Sequence, residues 1–404
     1  MARRGFGLII LGLLYIAIMN YEAMANGNDE AHRLYKNGVF QFMNGKYDLS
    51  CQLFKEAISA DSTNAYAYNA LGMVFFKFRD YIGAEKYFET AIKLDSQLAL
   101  AWYNLGNAHY YTPDHDNSLT SKAIEYWTKV LDIEPEGPLV KQAYNNIGNA
   151  NLNLGFPENA VMAFQNALKI DSVFTEARFG LAQSYEAMGQ LEKATGEYQK
   201  ILIKNPMHAP SYNALGNIFY ARGNIISAIN SYLQVINVDS SDCHGYRILV
   251  TVLDVFIDNL QATRDKAFIQ ARYINRYRDY NIFGGRTQFA SQTELDSALN
   301  LYRSAKKDQI LQLFHKYRDD FFQPGRIGER LKGCLDNIRL DPNSADAYYR
   351  YVKNLDALCL SAFAIRLDVI AKAKKQFLSC NIPNRENQSR NSLLAFIRLR
   401  NGNF

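Results

Sequence analysis

A chain of 404 residues with 48% hydrophobic content is long and apolar enough to fold throughout, and its 9 prolines and 24 glycines argue against long disordered linkers. The net charge of +5 conceals an asymmetry: residues 26–242 carry 17 basic and 23 acidic side chains, whereas residues 254–404 carry 25 and 16. The two parts therefore differ electrostatically.

The first 25 residues read as an export signal. Arg3 and Arg4 form a basic start, Gly5 to Met19 is apolar, and Ala23-Met24-Ala25 is the small-residue pattern that signal peptidases accept. The apolar run falls short of the roughly 20 residues needed for a membrane span. We expect a cleaved signal and an exported, periplasmic or cell-envelope protein; an uncleaved N-terminal anchor is the alternative, and the only route to a membrane. Cys51, Cys243, Cys334, Cys359 and Cys380 are scattered with no C-x-x-C pair, and they read as small buried apolar residues.

From residue 31 the chain repeats. Gly38, Gly72, Gly106, Gly148 and Gly216, with Ala182 in the remaining slot, recur at intervals of 34, 34, 42, 34 and 34 residues. A 34-residue period marks stacked helix pairs. Counting from Ala31, Ala65, Ala99, Lys141, Thr175 and Ala209, these residues hold position 8 of each first helix. A missing side chain there lets two helices approach closely. Position 20, on the facing helix, is Ser50 or an alanine, and position 24 is a large ring: Phe54, Phe88, Trp127, Phe164, Tyr198, Tyr232. Asp61-Ser62, Asp95-Ser96, Glu134-Pro135, Asp171-Ser172, Asn205-Pro206 and Asp239-Ser240 stop the second helices. Gly45, Gly155, Gly189 and Gly223 suit a left-handed residue in the inner turns.

These units (31–64, 65–98, 99–140, 141–174, 175–208 and 209–242) resemble the tetratricopeptide repeat, in a protein of exported bacterial type. Ala101-Trp102-Tyr103-Asn104-Leu105-Gly106-Asn107-Ala108 is nearly its consensus first helix. The resemblance implies an all-α fold, a right-handed superhelix (α-solenoid) of antiparallel helix pairs with the first helices lining a concave face. The third unit departs from the pattern: Thr112 to Ser121 lengthens its inner turn, and Glu136 to Val140 adds residues before the fourth unit. Both insertions are expected to bulge as loops.

Beyond Ser240 the beat decays. Residues 243–283 read as a degenerate repeat or capping helices, with Leu253, Phe256, Ile257 and Leu260 on one stripe. Residues 284–383 read as helical, with Gly284-Gly285 in a loop and a capping box at Thr293 and Asp296. One repeat-like unit lies near 326–377: Asp341-Pro342-Asn343 marks its boundary, and a helix from Ser361 to Phe377 completes it. Residues 384–404 form a basic helix or tail.

The resemblance also implies which residues meet a partner. Positions 2, 5, 9 and 12 of each first helix face the groove, and positions 5 and 9 are one turn apart. Here these two positions supply Asn69, Tyr103, Asn107, Asn145, Asn149, Gln183, Asn213 and Asn217. An amide both donates and accepts hydrogen bonds, so the set suits the backbone of an extended peptide. No position 5 is Lys or Arg, which leaves a clamp for a C-terminal carboxylate unsupported. Asp114-His115-Asp116-Asn117 reads as a polar turn rather than a metal site. Arg272, Arg276 and Arg278, interleaved with Tyr273, Tyr277 and Tyr280, read as a basic solvated face rather than a nucleic-acid site.

No catalytic motif and no cofactor fingerprint is present. The expectation is a non-enzymatic protein–protein interaction scaffold of the cell envelope. The alternative is an accessory or catalytic protein with its active part in 254–404.

Overall fold

The computed structural model describes residues 29–113, 117–281, 324–342 and 344–376, all its regular elements being helices. The chain divides after Lys204 into two compact bodies.

The first body stacks five antiparallel helix pairs. They are α1 (Asp29–Met43) with α2 (Tyr47–Ala60), α3 (Ala65–Lys77) with α4 (Tyr81–Leu94), α5 (Ala99–Tyr111) with α6 (Asn117–Ile133), α7 (Val140–Asn153) with α8 (Pro157–Ile170), and α9 (Thr175–Ala187) with α10 (Leu191–Lys204). Each pair packs on the next, so this body is a solenoid. The second body opens with a sixth pair, α11 (Ala209–Ala221) and α12 (Ile225–Val238). Three longer helices follow: α13 (Cys243–Asn281), α14 (Pro324–Leu340) and α15 (Ala345–Gln376).

Local chemistry sets the boundaries. Asn64 and Asp80 accept backbone hydrogen bonds from Ala67 and Gly83, satisfying amides that the first turns of α3 and α4 leave unpaired. Four inner turns contain a left-handed glycine, with φ of 76° at Gly45, 81° at Gly155, 70° at Gly189 and 74° at Gly223. In the second repeat Arg79 takes this conformation without a glycine, at φ 64°.

The glycine beat has a direct packing cause. A Cβ on Gly38, Gly72 or Gly106 would lie 2.6 Å from the ring of Phe54, Phe88 or Trp127, and one on Gly148 would lie 2.7 Å from Phe164. Each ring belongs to position 24 of the same repeat and is buried. The small residue at position 20 lies alongside: Ser50 is buried, and its hydroxyl donates to the Gly38 carbonyl at 2.9 Å. The fifth repeat has Ala182 at position 8, and there Gly180 faces the Phe164 ring of the preceding repeat.

Three expectations change. The insertion after Thr112 is helical from Asn117 onward and lengthens α6 to 17 residues; Asp114, His115 and Asp116 lie outside the described residues. The insertion before α7 bulges only in part: Glu136 and Pro138 are exposed in a turn, whereas Leu139 and Val140 are buried at 2% and 3% exposure. Apolar residues at its end fold it inward, and Leu139 joins the core around Trp127.

The C-terminal helices depart furthest. Helix α13 runs unbroken for 39 residues and α15 for 32, so the stretch after Asp341 is one helix rather than a repeat-like pair. Neither contains a glycine past Gly245 or a proline that would turn it. Leu253, Phe256, Ile257 and Leu260 form one buried stripe, as their spacing predicts, packed in a core with Leu358, Ala362, Ile365 and Val369 of α15. Inside this pairing Arg366, fully buried, bonds the Asp254 carboxylate through Nε and, at 3.4 Å, through Nη2. The Gly284 loop, the Thr293 capping box and residues 384–404 lie outside the described residues, as do the side chains of Arg272, Tyr273, Arg276, Tyr277, Arg278 and Tyr280.

Candidate functional site

The first helices carry the amides singled out above, and burial sorts them along the array. In the first two repeats positions 5 and 9 are closed: Tyr35, Val39, Asn69 and Met73 are all buried. Tyr103 is buried too. Asn107, Asn145 and Asn149 are half-buried, and Gln183 is exposed on α9. In the second body Asn213 is half-buried, while Asn217 is exposed and accepts a hydrogen bond from the Tyr232 hydroxyl at 2.7 Å.

Asn69 and Tyr103 are occupied inside the array. The Asn69 side-chain oxygen accepts from Asn104 Nδ2 at 2.9 Å, which ties α3 to α5. Asn146 Nδ2 lies 3.1 Å from both the Tyr103 hydroxyl and Asn107 Oδ1, and Asn153 Nδ2 donates to the Tyr110 hydroxyl at 2.6 Å, so α5 is tied to α7. Burial pushes the Tyr103 phenol up to about 12, against the opposing effect of its amide neighbours, so it stays neutral near pH 7. Neighbouring first helices are thus linked by an amide–phenol relay. Asn104 and Asn146, at position 6, are the residues that reading positions 5 and 9 misses.

Helix α7 is the chemical centre of the site. Its 14 residues include Asn145, Asn146, Asn149, Asn151, Asn153 and Gln142. Asparagine in a helix interior costs roughly 0.5–0.7 kcal/mol relative to alanine, so five of them cost about 3 kcal/mol. Three are used internally: Asn146 and Asn153 as above, and Asn151 donating to the Ile147 carbonyl at 2.8 Å. Gln142, Asn145 and Asn149 are spaced i, i+3 and i+7, which places them on one face. Gln142 Oε1 and Asn145 Oδ1 are buried with no hydrogen-bond partner among the described residues. Each such acceptor costs about 1–3 kcal/mol until a donor reaches it. This face therefore suits a ligand that presents N–H or O–H groups.

Among the described residues no group of three or more His, Cys, Asp or Glu is placed to hold a metal ion, and no helix is long and apolar enough to cross a membrane. His109, at a core position, is buried with Nε2 3.1 Å from Glu85 Oε1.

Comparison with known proteins agrees with this architecture. A tetratricopeptide repeat model matches residues 42–99, 69–123, 145–206 and 179–239. The CTR9 homolog of Arabidopsis thaliana is 23% identical over 334 residues, which span 79% of this chain and 30% of that protein. A TPR repeat-containing protein of Methanocaldococcus jannaschii is 26% identical over 196 residues, 44% of this chain and 33% of that one. The chain thus spans about a third of the length of these curated relatives. The solved structure of YrrB, described as a TPR protein with an unusual peptide-binding site, has 21% identity and a TM-score of 0.39, over 48% of this chain and 95% of that one. Proteins built of such repeats generally mediate protein–protein interactions. Over residues 42–123 and 145–239 this chain is built of tetratricopeptide repeats.

Proposed function

We propose that the chain is a non-enzymatic scaffold of the cell envelope that holds an extended segment of a partner protein against the amide-bearing face of its first helices. One observation carries this reading: Gln142, Asn145 and Asn149 share one face of α7 as half-buried amides, and Gln142 Oε1 and Asn145 Oδ1 lack a hydrogen-bond partner among the described residues. A peptide in extended conformation offers backbone N–H groups at regular spacing, and these satisfy such acceptors without demanding a particular side-chain sequence. Export rests on the basic, apolar and A-x-A segments of residues 1–25.

The test separates binding from stability. Asn145→Ala with Asn149→Ala removes the amides and installs the better helix former, so thermal stability should hold or rise by about 1 kcal/mol. Capture of partners by the full-length protein from its native envelope fraction should fall. Adding Asn213→Ala and Asn217→Ala should weaken it further. Undiminished capture rejects this face as the site. Mass spectrometry of the mature chain tests export, with Asn26 expected as the first residue.

A further inference from the structure

The fifth repeat breaks the apolar rules that its neighbours keep. Position 4 of the first helix is Leu34, Tyr68, Trp102, Tyr144 and Tyr212 in the other repeats, but Arg178 here. In the third repeat Trp102 fills this corner: its Nε1 donates to the Ser96 carbonyl at 3.0 Å, and its ring lies 5.9 Å from that of Tyr126. In the fifth, Arg178 Nη2 reaches the equivalent carbonyl of Ser172, and Nη1 meets Glu197, the counterpart of Tyr126, at 2.8 Å. A pair of rings has become an ion pair. The end of the second helix is inverted as well. Lys93-Leu94, Asp132-Ile133, Lys169-Ile170 and Asn237-Val238 run polar then apolar, whereas Ile203-Lys204 runs apolar then polar.

These exchanges leave a cleft of about 190 Å³, lined by Val173, Arg178, Lys200, Ile201, Ile203 and Lys204 among others. Its floor, Ile201, is buried; its apolar rims, Ile203 at 75% and Val173 at 63% exposure, stand open to solvent. Of the three cations that line it, Arg178 and Lys200 share one carboxylate, since Glu197 takes Arg178 at 2.8 Å and Lys200 at 2.6 Å. The cleft is therefore aliphatic inside and positive at its mouth.

We propose that this cleft is a second docking site, separate from the amide face of α7, for an acidic segment of a partner protein. An aliphatic side chain of that segment enters over Ile201 between Val173 and Ile203, and flanking carboxylates meet Lys200 and Lys204. Charge complementarity favours an acidic segment, and the aliphatic rims favour an apolar anchor. A nucleic acid would meet no aromatic side chain among the lining residues on which to stack its bases.

The probe is a fluorescein-labelled peptide with one leucine flanked on each side by two glutamates, titrated into the full-length protein and read by anisotropy. Its affinity should fall about tenfold between roughly 50 and 500 mM salt. Lys204→Glu, on the surface, should weaken binding at least about tenfold. Arg178→Trp with Glu197→Tyr installs the ring pair that Trp102 and Tyr126 supply in the third repeat, and it should abolish binding while circular dichroism stays unchanged. Asn145→Ala with Asn149→Ala should leave it intact, because the amide face of α7 and the cleft are separate sites. The proposal is overturned by absent binding to the unaltered protein, by equal affinity for the glutamine counterpart, by an oligonucleotide that competes as well as the peptide, or by undiminished binding in Lys204→Glu.

Discussion

A methyl group on Gly148 would sit 2.7 Å from the Phe164 ring, which is fully buried and cannot retreat. Gly148→Ala should therefore destabilise the first body by about 1–3 kcal/mol through overpacking, and Gly148→Leu should prevent α7 and α8 from pairing. Gly155 is the contrast. At φ 81° with no atom near its missing Cβ, Gly155→Ala suffers only backbone strain, about 1–2 kcal/mol. Urea melts of the alanine and valine variants at both sites distinguish the causes: cost should climb steeply with side-chain size at Gly148 and far less at Gly155. The glycines were legible in the sequence because close packing leaves a periodic trace. Asn104 and Asn146 were not, since their partners Asn69 and Tyr103 lie 35 and 43 residues away and meet them only through the approach of neighbouring first helices.

Among whole elements, α13 and α15 show where periodicity stops informing. The apolar stripe of α13 was readable residue by residue, yet in both helices the repeat analogy suggested turns that these sequences lack the glycine or proline to make. The continuous helices pair through an aliphatic core with one ion pair inside it, Asp254–Arg366. Charges so placed lose hydration that their mutual attraction barely restores. Arg366 Nη1 is moreover buried without a partner among the described residues. Arg366→Met alone strands the Asp254 carboxylate and should cost about 3–5 kcal/mol, whereas Arg366→Met with Asp254→Leu should recover most of that loss. Denaturant titration of the second body, followed through its helicity, checks the pair. If the double variant were no better than the single, the ion pair would be a net source of stability rather than a determinant of helix register.

Across the whole molecule, the short helix pairs of each body could be anticipated from the 34-residue period, whereas the burial of their first-helix polar residues could not. Positions 5 and 9 are buried in the first two repeats and half-buried at Asn107, Asn145 and Asn149, a difference that no motif marks. The same packing buries tyrosines in both bodies. Tyr103 and Tyr232 are each pushed up to about 12, chiefly by burial, and Tyr198 is raised further for the same first cause. In the unfolded chain these phenols ionise near pH 10. A phenol with a raised folded pKa favours the native state fully below the unfolded value, and that contribution is lost as pH climbs through the folded value. Stability should therefore be insensitive to these groups up to about pH 10 and fall steeply between about pH 10 and 12. Absorbance of tyrosinate and helicity, followed together, test the linkage: the exposed tyrosines should ionise first, and the buried set should ionise only as helicity collapses. Smooth ionisation of every tyrosine near pH 10 with helicity intact would mean that water reaches these rings, and that the packing of position-24 rings against first-helix glycines is looser than described.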